Sequence, residues 1–229
     1  MDLFEAVEAR RSIRKFLPEP VPTEVIERAL DAALLAPNSS NLQTWDFYWV
    51  RSAPKKARLV HLCLDQSAAR TAAELVVVTA DPGRWRRSNP ELVRFVREID
   101  APKAVKLYYE RLVPLMYGEG PVGAVARRVA TTAAGLFRPI MRGPNNERER
   151  QEVAIKSAAL ASENFVLALT AQGYASCMME GFDEPRVREL LELSSTTRVV
   201  MVIAAGREGP RGTWGPRFRL DRERVVHRV

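Results

Sequence analysis

The sequence predicts an α/β sandwich, in which helices cover a central sheet. At least four stretches have the pattern of strands, and helical stretches alternate with them. Residues 152–172 are apolar or small almost all round, which is typical of a helix packed on several sides in a core. From residue 82 to residue 146, proline and glycine separate several helical stretches, which indicates an insertion. We therefore expect residues 1–229 to form one domain, with residues 82–146 inserted in it.

In the first half of the chain, apolar spacing predicts two helices before the first strand. The first covers residues 2–10, and the second begins with Thr23 as its N-cap and ends before Pro37. Residues 45–50 and 75–80 have the pattern of strands, and the second is a continuous apolar run of the kind buried on both faces. The stretch between them, residues 55–70, is predicted to be helical.

The second half is dominated by the helix over residues 152–172. At 1.5 Å per residue it would be about 30 Å long, enough to cross a small domain. Gly173 is expected to end it. Residues 174–179 and 199–205 then supply two more strands, with a short helix over residues 184–193 between them. Spacing alone does not give the order or the direction of the four strands.

The positive charge of the chain is concentrated in and just after the insertion. The net charge is +7, and residues 82–150 hold fourteen Lys or Arg against seven Asp or Glu, which is the whole excess. A basic segment of this kind attracts anionic cofactors or substrates. The alternative is a basic module that binds nucleic acid or an anionic membrane, with residues 122–141 as a helix lying on the surface. We expect neither partner, and no run of about 18 apolar residues predicts a membrane span.

Several other features limit the class of protein. The start of the chain, from Met1 to Glu5, is acidic and unlike a secretory signal, so we expect a cytoplasmic protein. Cys63 and Cys177 lie in separate apolar contexts without C-x-x-C spacing, which predicts two buried thiols. His61 and His227 are isolated, so a histidine metal site has no second ligand to build on, and no metal site is predicted.

The segment from Arg10 to Arg14 has the chemistry of an anion site. It falls where a helix gives way to extended chain, so alternate side chains can point the same way. The guanidinium groups of Arg10 and Arg14, with the hydroxyl of Ser12, would suit a phosphomonoester because Arg pairs with phosphate oxygens through forked hydrogen bonds. A solvated basic helix end that complements the helix dipole would have the same composition.

Residues 37–43 form a second candidate segment. Five of the seven side chains are polar, namely Asn38, Ser39, Ser40, Asn41 and Gln43. Turn chemistry alone can explain such a composition. The predicted strand that starts at Trp45 follows at once and fixes this loop on a rigid element, and loops held in that way often bind ligands.

Taken in order, the motifs of the chain resemble the nitroreductase family of FMN-dependent oxidoreductases. They are R-R-S-x-R at residues 10–14, A-P-[polar]-S-x-N-x-Q-x-W-x-F at residues 36–47, the long small-residue helix, M-E-G-F at residues 179–182 and R-F-R at residues 217–219. The matches cover residues 1–80 and 148–229, so the insertion lies outside the pattern. The resemblance implies an α+β sandwich with a central mixed, mainly antiparallel sheet flanked by helices. It also implies a homodimer with FMN at the interface.

The resemblance assigns the residues that would bind FMN. Arg10, Ser12, Arg217 and Arg219 would lie towards the phosphate, and Arg14 would reach the N1 and C2-carbonyl edge of the flavin, where a cation stabilises the reduced state. Residues 37–41 would come from the partner subunit. The full expected set is Arg10, Arg11, Ser12, Arg14, Pro37, Asn38, Ser39, Asn41, Gln66, Met178, Glu180, Gly181, Arg217 and Arg219.

Glu180 and Gly181 match the segment that lies against the flavin ring, where their backbone amides would approach N5 and O4. Gly181 permits a close approach because it has no Cβ. A simpler interpretation is that Gly181 turns the chain after a strand and Asp183 caps the next helix. The two interpretations are compatible.

The implied activity is hydride transfer from NAD(P)H through flavin N5 to an electron-poor acceptor, such as a nitroaromatic or a quinone, by a ping-pong mechanism. The flavin carries this chemistry, so no catalytic side chain is expected. One alternative is a flavin-binding or regulatory protein whose pocket is closed by the insertion. Another is a different reaction of the family, such as dehalogenation or ene reduction.

The insertion is the segment expected to decide what the protein reduces. It is predicted to be a cap over the site or an arm that wraps the partner subunit, and a plain helical decoration is the alternative. Its aromatic side chains could wall a substrate pocket or fill a small core. They are Trp85, Phe95, Tyr108, Tyr109, Tyr117 and Phe137.

Overall fold

The computed structural model describes residues 1–118, 121–141 and 143–229. The parts of the predicted insertion at residues 119, 120 and 142 therefore lie outside the described residues. The side chains of residues 121–124, 126 and 127, which belong to the predicted basic surface helix, lie outside them as well.

The described chain is built on a four-stranded antiparallel sheet with the order β1-β2-β4-β3. The strands are β1 Trp45–Trp49, β2 Glu74–Ala80, β3 Ala175–Met179 and β4 Arg198–Gly206. Val77 of β2 pairs with Tyr48 on one side and with Val202 on the other. The sheet and the helices around it make the α+β fold that the resemblance implied.

The strands separate two hydrophobic cores. On β2, Val76 and Val78 pack in one core with Phe165, whereas Leu75 and Val77 pack in the other. All four of these β2 side chains are fully buried, because helices cover both faces of the sheet. This explains the continuous apolar run in the sequence.

Ten α-helices are described. They are α1 Leu3–Ala9, α2 Thr23–Leu34, α3 Ala53–Leu62, α4 Ser67–Thr71, α5 Trp85–Glu98, α6 Lys103–Leu107, α7 Val113–Tyr117, α8 Pro121–Ala134, α9 Glu147–Ala171 and α10 Glu184–Leu190. A π-helical turn, Tyr108–Leu112, joins α6 to α7. Short 3-10 turns occupy Ser39–Asn41, Pro82–Arg84 and Arg222–Arg224.

Helix α9 is the core helix that the sequence predicts. By length and composition alone it could cross a membrane, but half of its most apolar stretch is buried inside the protein. Phe165 and Leu169 are fully buried where α9 packs against α2 and the sheet. Gly173 lies just beyond its end with a φ of 78°, a conformation that glycine adopts without strain.

Two local predictions are wrong in detail. Residues 55–70 are not one helix, because Leu64 and Asp65 adopt φ values of 59° and 52° and divide the stretch into α3 and α4. Thr23 is the first residue of α2 rather than its N-cap. Pro22 occupies the cap position and makes no side-chain hydrogen bond there. By contrast, Asp183 caps α10 as predicted, accepting a hydrogen bond from the backbone N of Arg186 at 3.3 Å.

The insertion folds as helices α5 to α8 and has a small core of its own. Leu92, Val113 and Tyr117 pack there against Leu42, which belongs to the loop before β1. The side chain of Asn89 donates to the backbone O of Tyr109 at 2.9 Å and ties α5 to the π-helical turn. The insertion is therefore attached to the loop of residues 37–43. Its role as a cap or a dimer arm stays a prediction.

Candidate functional site

Two of the predicted segments meet in a pocket at the surface. Residues from the two ends of the chain form it, and we call it the arginine pocket. Its described lining consists of Arg10, Arg11, Ser12, Arg14, Pro216, Arg217, Phe218 and Arg219. Six of the expected FMN-binding residues are thus brought together by the fold.

Hydrogen bonds from arginine side chains to backbone carbonyls hold the two ends together. Nη2 of Arg217 donates to the carbonyl of Glu8 at 2.7 Å and to that of Arg10 at 2.5 Å. Nη2 of Arg11 donates to the carbonyl of Gly215 at 2.6 Å. A guanidinium has five N–H donors, so each of these groups keeps donors for a ligand.

Extended backbone after α1 orients the first segment. Ile13 is buried, and its N–H donates to the carbonyl of Ser176 on β3 at 2.9 Å. Ser12 forms a parallel bridge with the same residue. Because side chains alternate along extended chain, Ser12 and Arg14 face away from Ile13 and line the pocket. The alternation expected from the sequence therefore holds for residues 12–14, whereas Arg11 lines the pocket next to Arg10 and Ser12.

The arginine pocket is strongly cationic. Among the described residues, Glu163 is the one carboxylate within ion-pair distance of its five guanidinium groups, and it lies 3.7 Å from Nε of Arg10. Arg14 stacks on Trp214, with its guanidinium carbon 3.9 Å from the ring centroid. Five guanidinium groups and the hydroxyl of Ser12 match the needs of a phosphomonoester.

Gln66 reaches the segment that follows β3. Its Nε2 donates to the carbonyl of Gly181 at 2.6 Å and to that of Cys63 at 2.9 Å. A Cβ on Gly181 would lie 3.2 Å from this nitrogen, so the glycine allows the close contact. The backbone N–H of Gly181 makes no hydrogen bond to another described residue. This free donor is one of the groups expected to face a flavin.

The neighbours of Gly181 differ in burial. Met178 is half-buried on β3, and Glu180 is exposed just after the strand. Behind this segment, Cys63 is fully buried, and burial raises the pKa of its thiol to about 12. Burial also raises the pKa of the Cys177 thiol, against the opposing charge of Arg14. Both cysteines are buried thiols, as predicted.

The loop of residues 37–43 has a strained backbone. Ser40, Asn41 and Gln43 adopt φ values of 55°, 50° and 48°. The side chain of Asn38 stabilises the loop, since its Oδ1 accepts a hydrogen bond from the backbone N of Gln43 at 2.8 Å. Non-glycine residues persist in this conformation only where the surroundings hold them, and such residues cluster at functional sites.

Two tyrosines of the insertion hold the same loop. The Ser40 Oγ and Tyr108 Oη atoms are 2.6 Å apart, and the Ser39 Oγ and Tyr117 Oη atoms are 3.5 Å apart. Burial raises the pKa of Tyr117, so its hydroxyl stays protonated. The backbone N of Ser39 also donates to Oγ of Ser157 on α9 at 3.5 Å. The loop is therefore fixed both by the core helix and by the insertion.

Within one chain, the loop of residues 37–43 does not reach the arginine pocket. It faces a second cleft, which we call the α5 cleft, of about 620 Å³. The described lining of this cleft is Asn41, Gln43, Arg84, Ser88, Glu91, Leu92, Arg94, Phe95 and Glu98. Its size lies within the roughly 300–1,000 Å³ typical of small-molecule sites. Pro37, Asn38 and Ser39 likewise lie apart from the described residues of the arginine pocket.

The aromatic residues of the insertion divide between core and surface. Trp85, Tyr108, Tyr109 and Tyr117 pack in the small core of the insertion. Phe95 is half exposed and lines the α5 cleft, and Phe137 is 89% exposed. Phe95 is thus the member of this set that lines the α5 cleft.

Trp214 belongs to this site but carries no sequence signal of its own. Its contact with Arg14 spans most of the chain, and a lone tryptophan between Thr213 and Gly215 has no local pattern that indicates this partner. Gly212 carries no such signal either, although its carbonyl accepts the backbone N–H of Arg14 at 2.7 Å. No group of three or more metal-binding side chains occurs in the described residues.

Comparison with known proteins gives the class of protein that this fold defines. Residues 7–207 match the nitroreductase family. The chain is 30% identical over 208 residues to Protein DrgA of Synechocystis, covering 90% of this chain and 84% of the relative. It is also 30% identical over 228 residues to the NADH dehydrogenase of Thermus thermophilus, covering 99% and 95%. The chain belongs to the nitroreductase family.

A solved structure agrees with this assignment at the level of the fold. The protein is similar to a nitroreductase-type protein from Exiguobacterium sibiricum, whose crystal structure is a complex with FMN. The TM-score is 0.73 at 22% identity, and the match covers all of this chain and 98% of the other. The α+β fold inferred from the sequence is confirmed.

Proposed function

We propose that the protein is an FMN-dependent oxidoreductase that uses NAD(P)H to reduce an electron-poor acceptor, such as a nitroaromatic or a quinone. The arginine pocket is the observation that carries this proposal. Five guanidinium groups from the two ends of the chain line it together with Ser12, and they suit the phosphate of FMN. Membership of the nitroreductase family supports the same cofactor, because a similar structure holds FMN.

When bound, FMN would supply the hydride-transfer chemistry that links NAD(P)H to the acceptor in a ping-pong cycle. The chain itself would supply binding and electrostatics. Arg10, Arg11, Arg217 and Arg219 would hold the phosphate through charge-assisted hydrogen bonds. Arg14, which the ring of Trp214 keeps in place, would stabilise the negative charge of the reduced cofactor.

The segment after β3 would contact the ring of the cofactor. The backbone N–H of Gly181 makes no hydrogen bond to a described residue, so it is free to donate. The side chain of Gln66 donates to the carbonyl of Gly181 and so fixes the position of the glycine. A preoriented donor of this kind stabilises negative charge without having to move during the reaction. We assign Met178 and Glu180 to the same contact surface.

We also propose that the working unit is a homodimer. Helix α1 lies against α9, and both helices expose large apolar side chains, including Phe4 at 77% and Leu160 at 49%. Exposed apolar surface of this kind marks protein interfaces. Pro37, Asn38, Ser39 and Asn41 lie away from the arginine pocket of their own chain, so a partner subunit would supply them to the neighbouring site.

The experiment that tests this function begins with the colour of the purified chain. We expect a yellow protein that releases FMN when denatured and oxidises NADH or NADPH when a nitroaromatic or a quinone is added. Sedimentation should give twice the chain mass of 25.7 kDa. A colourless protein that cannot be reconstituted with FMN would contradict the proposal that the chain is an FMN-dependent enzyme. A flavin-loaded monomer would contradict the proposal that two subunits share each FMN site.

A further inference from the structure

We propose that the chain has a second anion site, which binds a small carboxylate with a flat apolar body. The site is a cleft of about 200 Å³ between the start of α9 and the insertion, and we call it the α9 cleft. Its described lining is Pro82, Gly83, Trp85, Arg86, Tyr117, Glu147, Arg150 and Thr196. It shares none of the described lining residues of the arginine pocket or the α5 cleft.

Arg150 is the first reason to assign an anion to this cleft. Its side chain is only 12% exposed. Its Nη1 is buried and has no hydrogen-bond partner among the described residues, and its Nη2 lies 3.5 Å from Oε2 of Glu147. A buried guanidinium that is short of acceptors is costly, and nearly all buried donors in proteins have a partner. Because Arg150 also lines the cleft, an anion there would offset the charge of this guanidinium.

The position of Arg150 in the first turn of α9 adds to the positive charge. Backbone N–H groups at the start of a helix carry a partial positive charge, which favours anions and disfavours a cation. Glu149 lies in the same turn, but its carboxylate already accepts from the backbone N of Asn145 at 2.6 Å and from Nδ2 of Asn146 at 2.7 Å. Glu147 is left as the one acidic group of the described lining.

Arg86 provides a second cation on the opposite wall. Its guanidinium carbon lies 5.2 Å from the ring centroid of Trp85, which orients the group. A Cβ on Gly83 would lie 3.7 Å from Nη1 of Arg86, so this nitrogen is close to the glycine that lines the same cleft. No described carboxylate is within ion-pair distance of Arg86. The described lining therefore holds two guanidinium groups against one carboxylate.

The aromatic residues of the α9 cleft indicate the apolar part of the ligand. The rings of Trp85 and Tyr117 lie 6.4 Å apart with an interplanar angle of 39°. Aromatic walls favour a flat apolar body, and a planar carboxylate matches the fork of a guanidinium. The proposed class is therefore a small aromatic or unsaturated carboxylate.

Benzoate is a suitable probe, with benzamide as its neutral analogue of nearly the same shape. We expect isothermal titration of the full purified chain, with its retained cofactor, to show saturable binding of benzoate and at least tenfold weaker binding of benzamide. Equal binding of the two compounds would overturn the proposal. The readout is binding rather than turnover, so the result is independent of the proposed function.

Two arginines of α9 give a matched pair of variants. Arg148 is 89% exposed and lies outside the described lining of the cleft, whereas Arg150 lines it. We expect Arg150→Gln to weaken benzoate binding at least tenfold and Arg148→Gln to change it less than twofold. This comparison also separates the cleft from the arginine pocket, which neither variant alters. Equal effects of the two variants, or no effect of Arg150→Gln, would overturn the proposal.

A third variant keeps the test decisive if Arg150→Gln does not fold. Arg86 lies on the insertion and is exposed, so Arg86→Gln removes a charge from the opposite wall of the cleft with little effect on the core. We expect this variant to weaken the binding of benzoate at least fivefold and to leave the binding of benzamide unchanged. Unchanged benzoate affinity in a folded Arg86→Gln protein would count against the site.

Discussion

Arg14 and Trp214 are stacked, with the guanidinium carbon of Arg14 3.9 Å from the centroid of the tryptophan ring. Nη1 of Arg14 also donates to the carbonyl of Ser12 at 3.2 Å. The charge of Arg14 is therefore fixed in direction before any ligand binds. A fixed cation stabilises developing negative charge without a cost of reorganisation.

Replacement of Arg14 should change the reduction potential of bound FMN. We expect Arg14→Ala to lower the potential by on the order of 30 mV or more, equal to about 1.4 kcal/mol for a two-electron couple, because the reduced cofactor loses its cation. Arg14→Lys keeps the charge and should retain most of the potential. A redox titration monitored by flavin absorbance measures both. An unchanged potential in Arg14→Ala would show that this residue does not contact the reduced ring.

Arg219 tests the phosphate end of the same pocket. Its described hydrogen bond goes to the carbonyl of its neighbour Phe218 at 2.8 Å, so its removal leaves the contacts that hold the tail intact. We expect Arg219→Ala to weaken FMN binding about tenfold or more, since a hydrogen bond to a charged group contributes about 1.5–3 kcal/mol. Fluorescence titration measures this affinity.

Riboflavin supplies the control for Arg219, because it lacks the phosphate. Its affinity should be the same in the wild type and in Arg219→Ala. Arg222, an exposed arginine of the tail outside the described lining of the pocket, offers a matched variant that should bind FMN normally. Equal losses for FMN and riboflavin would place Arg219 away from the phosphate.

Tyr108 tests how the insertion supports the strained loop. Its hydroxyl is 2.6 Å from Oγ of Ser40, which has a φ of 55°. We expect Tyr108→Phe to destabilise the protein by about 1 kcal/mol. That is a fall in Tm of roughly 2–4 °C for a chain of this size. Tyr109→Phe is the control, because its hydroxyl has no hydrogen bond to a described residue. Calorimetry that finds equal Tm values for the two variants would exclude this role.

Cys63 should make the stability depend on pH in alkaline solution. Burial raises the pKa of its thiol to about 12, whereas an unfolded cysteine loses its proton near pH 8.5. Below about pH 8.5 both states are protonated, so the contribution of the buried thiol is complete. As the pH rises towards 12, only the unfolded state releases its proton, and stability falls by up to about 1.4 kcal/mol per pH unit.

Urea unfolding of the wild type and of Cys63→Ala between pH 8 and pH 10 measures this effect. From this group alone we expect the wild type to lose about 2 kcal/mol over that interval. The variant should show a shallower dependence on pH, whatever its stability at pH 8. Parallel curves for the two proteins would mean that Cys63 is accessible to water in the folded state.

The strands were predictable because their burial leaves a direct mark on the sequence. Val76, Val77 and Val78 are apolar in succession because helices cover both faces of β2. The break between α3 and α4 left no such mark. Leu64 and Asp65 turn the chain at positive φ without the glycine or proline that normally indicates a turn.

The candidate site, like the fold, was predictable only where its residues are close together in the sequence. The guanidinium groups of residues 10–14 were recognisable because their chemistry is local to five residues. The position of Trp214 depends on how the tail returns to α1, and Arg217 sets that path through the carbonyls of Glu8 and Arg10. Contacts between opposite ends of a chain are formed by tertiary folding, so no local pattern predicts them.

The hydroxyls of Tyr108 and Tyr117 have a consequence for protein engineering. They contact Ser40 and Ser39, so the conformation of the loop depends partly on residues of the insertion. A chimera that exchanges residues 82–146 for those of a relative would change the supports of this loop together with the walls of the α5 cleft. The insertion is therefore not an interchangeable module. Under the proposed function, acceptor preference would have to be altered at single positions, such as Phe95, that leave both tyrosines in place.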